Sequence, residues 1–173
     1  TCTPSTADVT VNYYQTPTTA TISTTPLNYC GTLVSGSLGG NTPTAGSGQW
    51  SKVSGPGGVT FSAGTSGSST ATVDAYGTYV LRWTISNGTC TPSTADVTVN
   101  YYQTPTTADA GTDQDLCGTL AATLAGNSPS AGTGTWTKKS GPGGVTFGNA
   151  NAYNSSATVD AYGTYVFTWT IAN

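Results

Sequence analysis

The side chains of this chain that could carry out chemistry are seven aspartates, four cations, four cysteines and many hydroxyl groups. His and Glu are both absent. Their absence excludes Ser-His-Asp and Cys-His nucleophilic centres, His-rich metal sites and paired glutamate acid/base catalysts. Any enzyme would have to work with Asp, Lys, Tyr or Cys alone, which is uncommon. We therefore predict that the protein is not an enzyme and uses no cofactor.

The charged side chains are few and mostly acidic. The only cations are Lys52, Arg82, Lys138 and Lys139, so the chain cannot neutralise a nucleic-acid backbone or bind an anionic lipid surface by charge. No stretch approaches the roughly 20 consecutive apolar residues of a membrane span. We expect no nucleic-acid partner and no membrane insertion. Four Trp, ten Tyr and three Phe nevertheless supply the bulky surface that a folded core requires.

The sequence contains an internal repeat. Residues 1–20 recur unchanged at 89–108, an offset of 88 residues. Residues 71–87 recur at 157–173 with three differences, an offset of 86 residues. The repeating unit is therefore about 86–88 residues long.

The repeat is out of phase with the ends of the chain. Residues 16–103 contain one of every element, whereas the copy that begins at residue 104 stops before its Gly-Thr-Cys and ADVTVNYY segments. Those segments are found at the front of the chain. We expect three parts: residues 1–15, a terminal strand that completes a preceding domain; residues 16–103, a complete domain; and residues 104–173, a domain without its last strand.

Alternating apolar residues predict strands throughout, with no helical period. The strongest pattern places four residues on one face: Tyr79, Leu81, Trp83 and Ile85. A second pattern, at 95–102, aligns Val97, Val99 and Tyr101. Shorter strands are predicted at 18–23, 32–38, 49–53, 59–62 and 70–73. About seven short strands per unit, separated by Gly/Pro/Asn/Ser turns, predict an all-β, two-sheet antiparallel sandwich.

A turn with the sequence Asp-Ala-Tyr-Gly-Thr-Tyr precedes the main strand of each unit and ends at Tyr79 and Tyr165. It resembles the tyrosine corner of immunoglobulin-like sandwiches. With Trp50, the Ser-Gly-Pro-Gly turn at 54–57, the GTYVLRWTISNGTC run at 77–90 and the ADVTV strand, each unit resembles the PKD-like, immunoglobulin-related repeats of Bacteroidota-type bacterial proteins.

This resemblance implies tandem sandwiches in a secreted or surface-anchored protein, and therefore an extracellular or cell-surface location. Strand alternation, together with the Trp position of sandwich domains, assigns six core residues: Trp50, Leu81, Trp83, Trp136, Phe167 and Trp169. The WDFGDG-type segment of PKD domains is absent, and the position of the second immunoglobulin cysteine holds Leu81 or Phe167.

The four cysteines lack the C-x-x-C spacing of metal sites. In a Thr-rich chain they indicate an oxidised, extracellular disulfide framework. Within the complete unit we predict a disulfide between Cys30 and Cys90. Their recurrences, Cys117 and Cys2, have no equivalent partner within one chain, so we predict that Cys117 pairs with Cys2 of the next copy.

The same reasoning assigns a donated strand to the N-terminal segment: Ala7, Asp8, Val9, Thr10, Val11, Asn12, Tyr13 and Tyr14. Separate chains would polymerise by adding this strand to a neighbour. Alternatively, the chain is a window of a longer tandem polypeptide, and the donated strand is its ordinary continuation. Both arrangements are linear and head to tail. The predicted function is a structural subunit or segment of an extracellular filament or stalk, with identical copies as partners.

Two other kinds of site are compatible with the residues. A surface adhesin or carbohydrate-binding repeat would bind surface glycans through exposed aromatics, but the positions of the Trp residues favour a core role. The carboxylates of Asp109, Asp113 and Asp115 could hold Ca²⁺. The matching stretch of the first unit, 21–28, has no acidic residue, so a solvated linker is favoured and no metal is predicted.

Overall fold

The computed structural model describes residues 2–23 and 26–173, and this part of the chain is all-β. No helix capable of crossing a membrane occurs in those residues. The chain divides into two compact units, Thr1–Tyr101 and Tyr102–Asn173, called here the first and second units. The division falls two residues before the domain boundary expected after residue 103.

The first unit contains six strands: β1 (Leu27–Cys30), β2 (Ser47–Ser54), β3 (Val59–Phe61), β4 (Ala71–Val73), β5 (Gly77–Ser86) and β6 (Ser93–Tyr102). The second unit contains five: β7 (Ala121–Thr123), β8 (Thr133–Ser140), β9 (Val145–Phe147), β10 (Ser156–Val159) and β11 (Val166–Ala172).

The first unit is a two-sheet sandwich. Its larger sheet has the order β1-β6-β5-β2, and its smaller sheet pairs β3 with β4. The central strand β5 is antiparallel to both β2 and β6. Trp50 of the larger sheet stacks on Phe61 of the smaller one, with ring centroids 6.3 Å apart, so the core lies between the two sheets.

The alternation predicted for β5 is confirmed. Tyr79, Leu81, Trp83 and Ile85 have no exposed surface, while the residues between them are only partly covered. The Trp83 ring lies directly over Gly48 of β2, where an added Cβ would be 2.0 Å from the ring. Glycine is therefore required at this crossing point because any side chain would displace the indole.

The second unit repeats this arrangement in part. β8 and β11 are antiparallel, and a separate sheet has the order β7-β10-β9. Its buried core consists of four residues: Leu124, Trp136, Ala157 and Trp169. The first unit has twelve buried core residues, so the core of the second unit is much less completely shielded from solvent.

Two predicted strands are wrong. The segment 32–38 contains only an isolated bridge from Val34 to Thr72, and 18–23 contains only a bridge from Ile22 to Gly40. The structure instead has β1 at Leu27–Cys30, which the sequence did not indicate. A four-residue strand beside Pro26 and Gly31 has too little alternation to be distinguished from a loop.

β1 also departs from the predicted antiparallel arrangement. It neighbours β6 in the sheet. The Ala20 amide donates to the Ser93 hydroxyl at 2.9 Å, and the Asn100 side chain donates to that of Asn28 at 2.8 Å. Ala20 precedes β1 and lies beside the start of β6, whereas Asn28 of β1 lies beside Asn100 near the end of β6. From this order of contacts we infer that β1 runs parallel to β6.

Both predicted tyrosine corners form. The Tyr79 hydroxyl donates to the Ala75 carbonyl at 2.9 Å and accepts from the Gly57 amide at 3.0 Å. In the second unit, the Tyr165 hydroxyl makes the equivalent bonds with Ala161 and Gly143, both at 3.0 Å. The ring thus fixes two turns to the start of the main strand.

Replacing Tyr79 with Phe should lower the free energy of unfolding of the first unit by about 1–3 kcal/mol, since a backbone donor and acceptor both lose their partner. Urea denaturation followed by Trp fluorescence measures the change. Tyr76→Phe is the matched control, because Tyr76 lies in the same turn and is 38% exposed. Equal unfolding midpoints for the two variants would contradict this assignment.

Candidate functional site

The last strand of the first unit shows what closes a sandwich of this kind. β6 pairs with β5 from Ser93, opposite Ile85, to Tyr101, opposite Gly77. Its inward side chains are almost completely covered: Val97 and Val99 have no exposed surface, and Tyr101 is 1% exposed. The strand therefore completes the hydrogen bonding of β5 and fills the core.

Tyr101 is the largest of these side chains. Its ring stacks on Tyr29 and meets Tyr79 edge to face, with centroids 5.7 Å apart in both cases. Its hydroxyl donates to the Ala71 carbonyl at 3.2 Å, which ties β6 to the opposite sheet. Burial raises the pKa of the Tyr101 phenol, since the charged form would lose its hydration.

The second unit has no equivalent of this strand. β11 pairs with β8 along one edge, and no strand in the described part of the chain pairs with its other edge. Val166 is 43% exposed, and Phe167 and Tyr165 are only partly buried, whereas their counterparts Leu81 and Tyr79 are fully buried. The backbone groups and core face of β11 are thus open.

A cavity of about 570 Å³ lies beside this open edge. Its apolar lining corresponds to the residues that form the core around β6 in the first unit, and includes Leu124, Trp136, Ala157, Val159, Tyr165 and Phe167. We call the free edge of β11 and this cavity the open groove. In the first unit the equivalent core residues pack against Val97, Val99 and Tyr101, the inward side chains of β6.

The chain carries that segment in a second place. Residues 5–14 are identical to the ten residues of β6. They form no strand, and Val9, Val11 and Tyr13 are 86%, 58% and 93% exposed. Burying each such side chain contributes roughly 1.5–3 kcal/mol. The same ten-residue sequence therefore occurs twice: as β6 it is paired within a sheet, and at 5–14 it forms no strand.

The electrostatics of the two edges differ at one position. The Arg82 guanidinium donates to both Asp96 carboxylate oxygens, at 2.7 and 2.8 Å. These hydrogen bonds lower the pKa of Asp96 and raise the pKa of Arg82. Both side chains are 40% exposed, so the pair contributes modestly. In the second unit Thr168 replaces Arg82, and the edge of β11 presents no cation there.

An asparagine holds the entry segment of both units. The Asn41 side chain accepts from the Thr21 amide and donates to the Thr19 carbonyl, each at 2.9 Å. Asn127 makes the same two bonds in the second unit, to Asp109 and Thr107, each at 2.8 Å. Sequence analysis missed this contact, although the Gly-Asn pair at 40–41 and 126–127 was available as a signal.

The predicted disulfide between Cys30 and Cys90 is wrong for this structure. All four cysteines are free thiols. Tyr29 stacks on Tyr101, which places Cys30 beside the end of β6, whereas Cys90 precedes its start. Nine strand steps separate those ends by about 30 Å, while a disulfide requires Cα atoms within about 7 Å. The parallel direction of β1 is the physical reason.

The candidate metal ligands do not converge. No group of three Cys, Asp or Glu side chains able to hold a metal occurs within residues 2–23 and 26–173. Asp109 instead accepts a hydrogen bond from the Gly111 amide at 2.9 Å and donates its own amide to Asn127. Asp113 and Asp115 line the cavity.

The tryptophans belong to the core, as predicted. Trp50 and Trp136 are each 2% exposed, Trp83 is fully buried and Trp169 is 4% exposed. Each unit contains one close indole pair, with centroids 5.1 and 5.0 Å apart. These rings cannot stack on a sugar at the surface. In the adjacent pair at the end of β6, Tyr102 is 45% exposed while Tyr101 is buried.

These observations define the protein as an all-β sandwich with one unit closed by its own last strand and one unit open. It is similar to the solution structure of the PKD domain from KIAA 1837 protein, with 19% identity and a TM-score of 0.40. The match covers 62% of this chain and 100% of that domain. No protein-family model matches the sequence. The search of curated proteins finds no relative.

Replacing Arg82 with Thr, the residue at the equivalent position of the second unit, should destabilise the first unit in a pH-dependent manner. Because Arg82 lowers the pKa of folded Asp96, the pair stabilises the fold above the unfolded pKa of about 3.9 and loses this effect as the pH falls through the folded pKa. Urea denaturation at several pH values should show the wild-type advantage at neutral pH and its decline in acid. A difference that is the same at all pH values would contradict the role of Asp96.

Proposed function

We propose that this chain is a structural subunit or segment of an extracellular filament or stalk. In this filament, residues 7–14 of one copy close the open groove of the preceding copy. The observation that carries the proposal is the identity of residues 5–14 with β6, the strand that closes the same groove in the first unit. The occupant is thus a second copy of the chain, or the same polypeptide continued.

The pairing of β6 with β5 supplies the register of the donated strand. In the first unit Leu81 is opposite Val97 and Tyr79 is opposite Val99. The equivalent partners are Phe167 with Val9 and Tyr165 with Val11. Tyr13 then enters the cavity beside Tyr165, as Tyr101 meets Tyr79, and its hydroxyl reaches the Ala157 carbonyl.

Donation of a strand by residues 7–14 to the open groove, a different surface, of the preceding copy is a heterologous contact. Such contacts propagate as open linear assemblies unless the rotation closes a ring. Each added copy presents a new open groove, so growth can continue. Separate polymerising chains and a covalent tandem array make the same strand contacts, and the sandwiches are tandem in both.

The composition is compatible with an extracellular structural role. Eleven charged residues in 173, no Met and no His leave few groups that oxidants or changes of pH can alter. An adhesin that binds glycans through shared aromatic residues is the alternative. No observation supports this alternative, because the tryptophans on which it depends are buried.

The first test of the proposal is a single charge in the donated strand. Val11→Asp should prevent assembly, since its carboxylate would have to be buried in the cavity against the ring of Tyr165. Thr10→Asp places the same charge on the outward face, one residue away, and should assemble. Size-exclusion chromatography with light scattering and electron microscopy, under reducing conditions, measures the length of the particles.

Monomeric wild-type chain at high protein concentration, or a Val11→Asp variant that assembles like wild type, would overturn the proposal. Urea denaturation of both variants verifies that the first unit is folded. Because residue 11 lies outside every strand and is 58% exposed, neither change should alter that unit.

The second test closes the groove within one chain. Extending the chain after Asn173 with a copy of residues 88–102 should fill the cavity and stop polymerisation. Burial of two Val and one Tyr should stabilise the second unit by on the order of 5 kcal/mol. Calorimetry measures the second transition, and light scattering measures the mass.

The matched control is the same extension with Val99→Asp in the copied segment, which should neither stabilise the second unit nor stop assembly. If the unmodified extension leaves both properties unchanged, β6-like closure of this groove is excluded. The test applies equally to separate chains and to a tandem polypeptide.

A further inference from the structure

The cysteine positions carry an inference that rests on the proposed head-to-tail assembly. Cys30 and Cys90 lie at opposite ends of β6, and repeat symmetry assigns their counterparts Cys117 and Cys2 to opposite ends of a groove closed by residues 5–14. A disulfide between Cys117 and Cys2 of the next copy would therefore have to span about 30 Å. This geometry therefore argues against the pairing predicted from the sequence in both units.

Cys90 has a different neighbour. Its sulfur lies 3.7 Å from the Tyr14 carbonyl oxygen and 3.5 Å from the Gln15 carbonyl oxygen. The Asn87 side chain donates to the same Gln15 carbonyl at 2.8 Å. The end of the donated strand is thus fixed beside the Cys90 thiol.

Cys117 is the repeat equivalent of Cys30. Cys117-Gly-Thr-Leu120 repeats Cys30-Gly-Thr-Leu33, and both glycines have φ near 70°. The Leu33 carbonyl accepts a hydrogen bond from the Val73 amide, and the Leu120 carbonyl accepts one from the equivalent Val159 amide, both at 2.9 Å. Cys117 therefore occupies the position in the second unit that Cys30 occupies in the first.

These contacts meet at one residue of the donated strand. Cys30 follows the pairs Asn28–Asn100 and Tyr29–Tyr101 and is therefore adjacent to Tyr102, the last residue of β6. Tyr14 is the equivalent of Tyr102, so in the closed groove it lies adjacent to Cys117 of the preceding copy. Tyr14 also lies beside Cys90 of its own chain. One residue has a thiol from each copy next to it.

We infer that the cysteines join consecutive copies in two pairs: Cys90 with Cys117 of the preceding copy, and Cys30 with Cys2 of the following copy. The second pair follows from the first by the repeat, because Cys2 is equivalent to Cys90 and Cys30 to Cys117. Two disulfides then join each pair of consecutive copies, one beside the Gln-Thr-Pro connection at 15–17 and one beside the connection at 103–105.

The chemistry is a thiol–disulfide exchange with a disulfide oxidant such as glutathione disulfide. One protein thiolate attacks the oxidant and releases one reduced glutathione, and the second thiolate displaces the other from the mixed disulfide. Two protein thiols become one disulfide, and the oxidant takes up the two electrons and two protons as two thiols.

Trypsin distinguishes the pairings directly, because it cleaves after Lys52, Arg82 and Lys138. Cys2 and Cys30 lie in fragment 1–52, and Cys90 and Cys117 lie in fragment 83–138. The full chain is assembled with reduced and oxidised glutathione, alkylated and digested without reduction. Mass spectrometry should find disulfide-linked oligomers that each contain copies of one fragment only, either 1–52 or 83–138. Any disulfide between fragment 1–52 and fragment 83–138 would indicate Cys30–Cys90 or Cys2–Cys117 and would overturn the inference.

Two double variants give opposite results under the two pairings. Cys30→Ser/Cys90→Ser removes one partner from each proposed pair, so the ladder on non-reducing electrophoresis should disappear. Cys2→Ser/Cys30→Ser leaves Cys90 and Cys117 intact, so the ladder should persist. If the first variant keeps the ladder and the second loses it, Cys2 pairs with Cys117 and the inference is wrong.

Assembly under reducing conditions separates this inference from the proposed function. Wild type and both double variants should form polymers of equal length in the presence of a thiol reductant, because strand donation does not require the disulfides. If no polymer forms under these conditions, the proposed function fails. If polymers form but oxidation links fragment 1–52 to fragment 83–138, or gives no ladder, only the disulfide pairing fails.

Discussion

The interaction on which this fold depends is the closure of its central strand by one further strand. β6 gives β5 its second set of backbone hydrogen bonds and places Val97, Val99 and Tyr101 in the core, where they are fully or almost fully buried. The backbone hydrogen bonds and the core side chains are both needed. Without the hydrogen bonds the edge of β5 could pair with another strand, and without the side chains the residues that line the core would lose their contacts. The second unit has both deficits at β11.

The remaining contacts hold the residues around the open groove in place. The tyrosine corner at Tyr165, the Asn127 bonds to the entry segment and the Trp136–Trp169 pair have the same geometry as their counterparts in the first unit. The second unit therefore has these contacts without a strand equivalent to β6. A preorganised groove favours strand addition, because little of its own backbone has to be ordered on binding.

The direction of β1, although the strand has only four residues, determines where the cysteines of the first unit lie. Because β1 runs parallel to β6, the cysteine at its end lies far from the cysteine that precedes β6. The cysteines of a unit are thereby directed to its two ends, where neighbouring copies follow in the proposed filament. Disulfides in these positions would carry tension from one sandwich to the next, while strand closure holds each sandwich together.

The sequence alone determined the repeat, the all-β class, the buried face of β5, the Tyr79 and Tyr165 corners and the identity of residues 5–14 with a core strand. These features are local patterns or exact recurrences, so no tertiary contact is needed to recognise them. Only the tertiary structure decided the place and direction of β1, the Asn41 contact and the separation of Cys30 from Cys90. Whether two segments pair parallel or antiparallel depends on contacts between residues about 70 positions apart, such as Asn28 and Asn100, and alternation within either segment is the same in both cases.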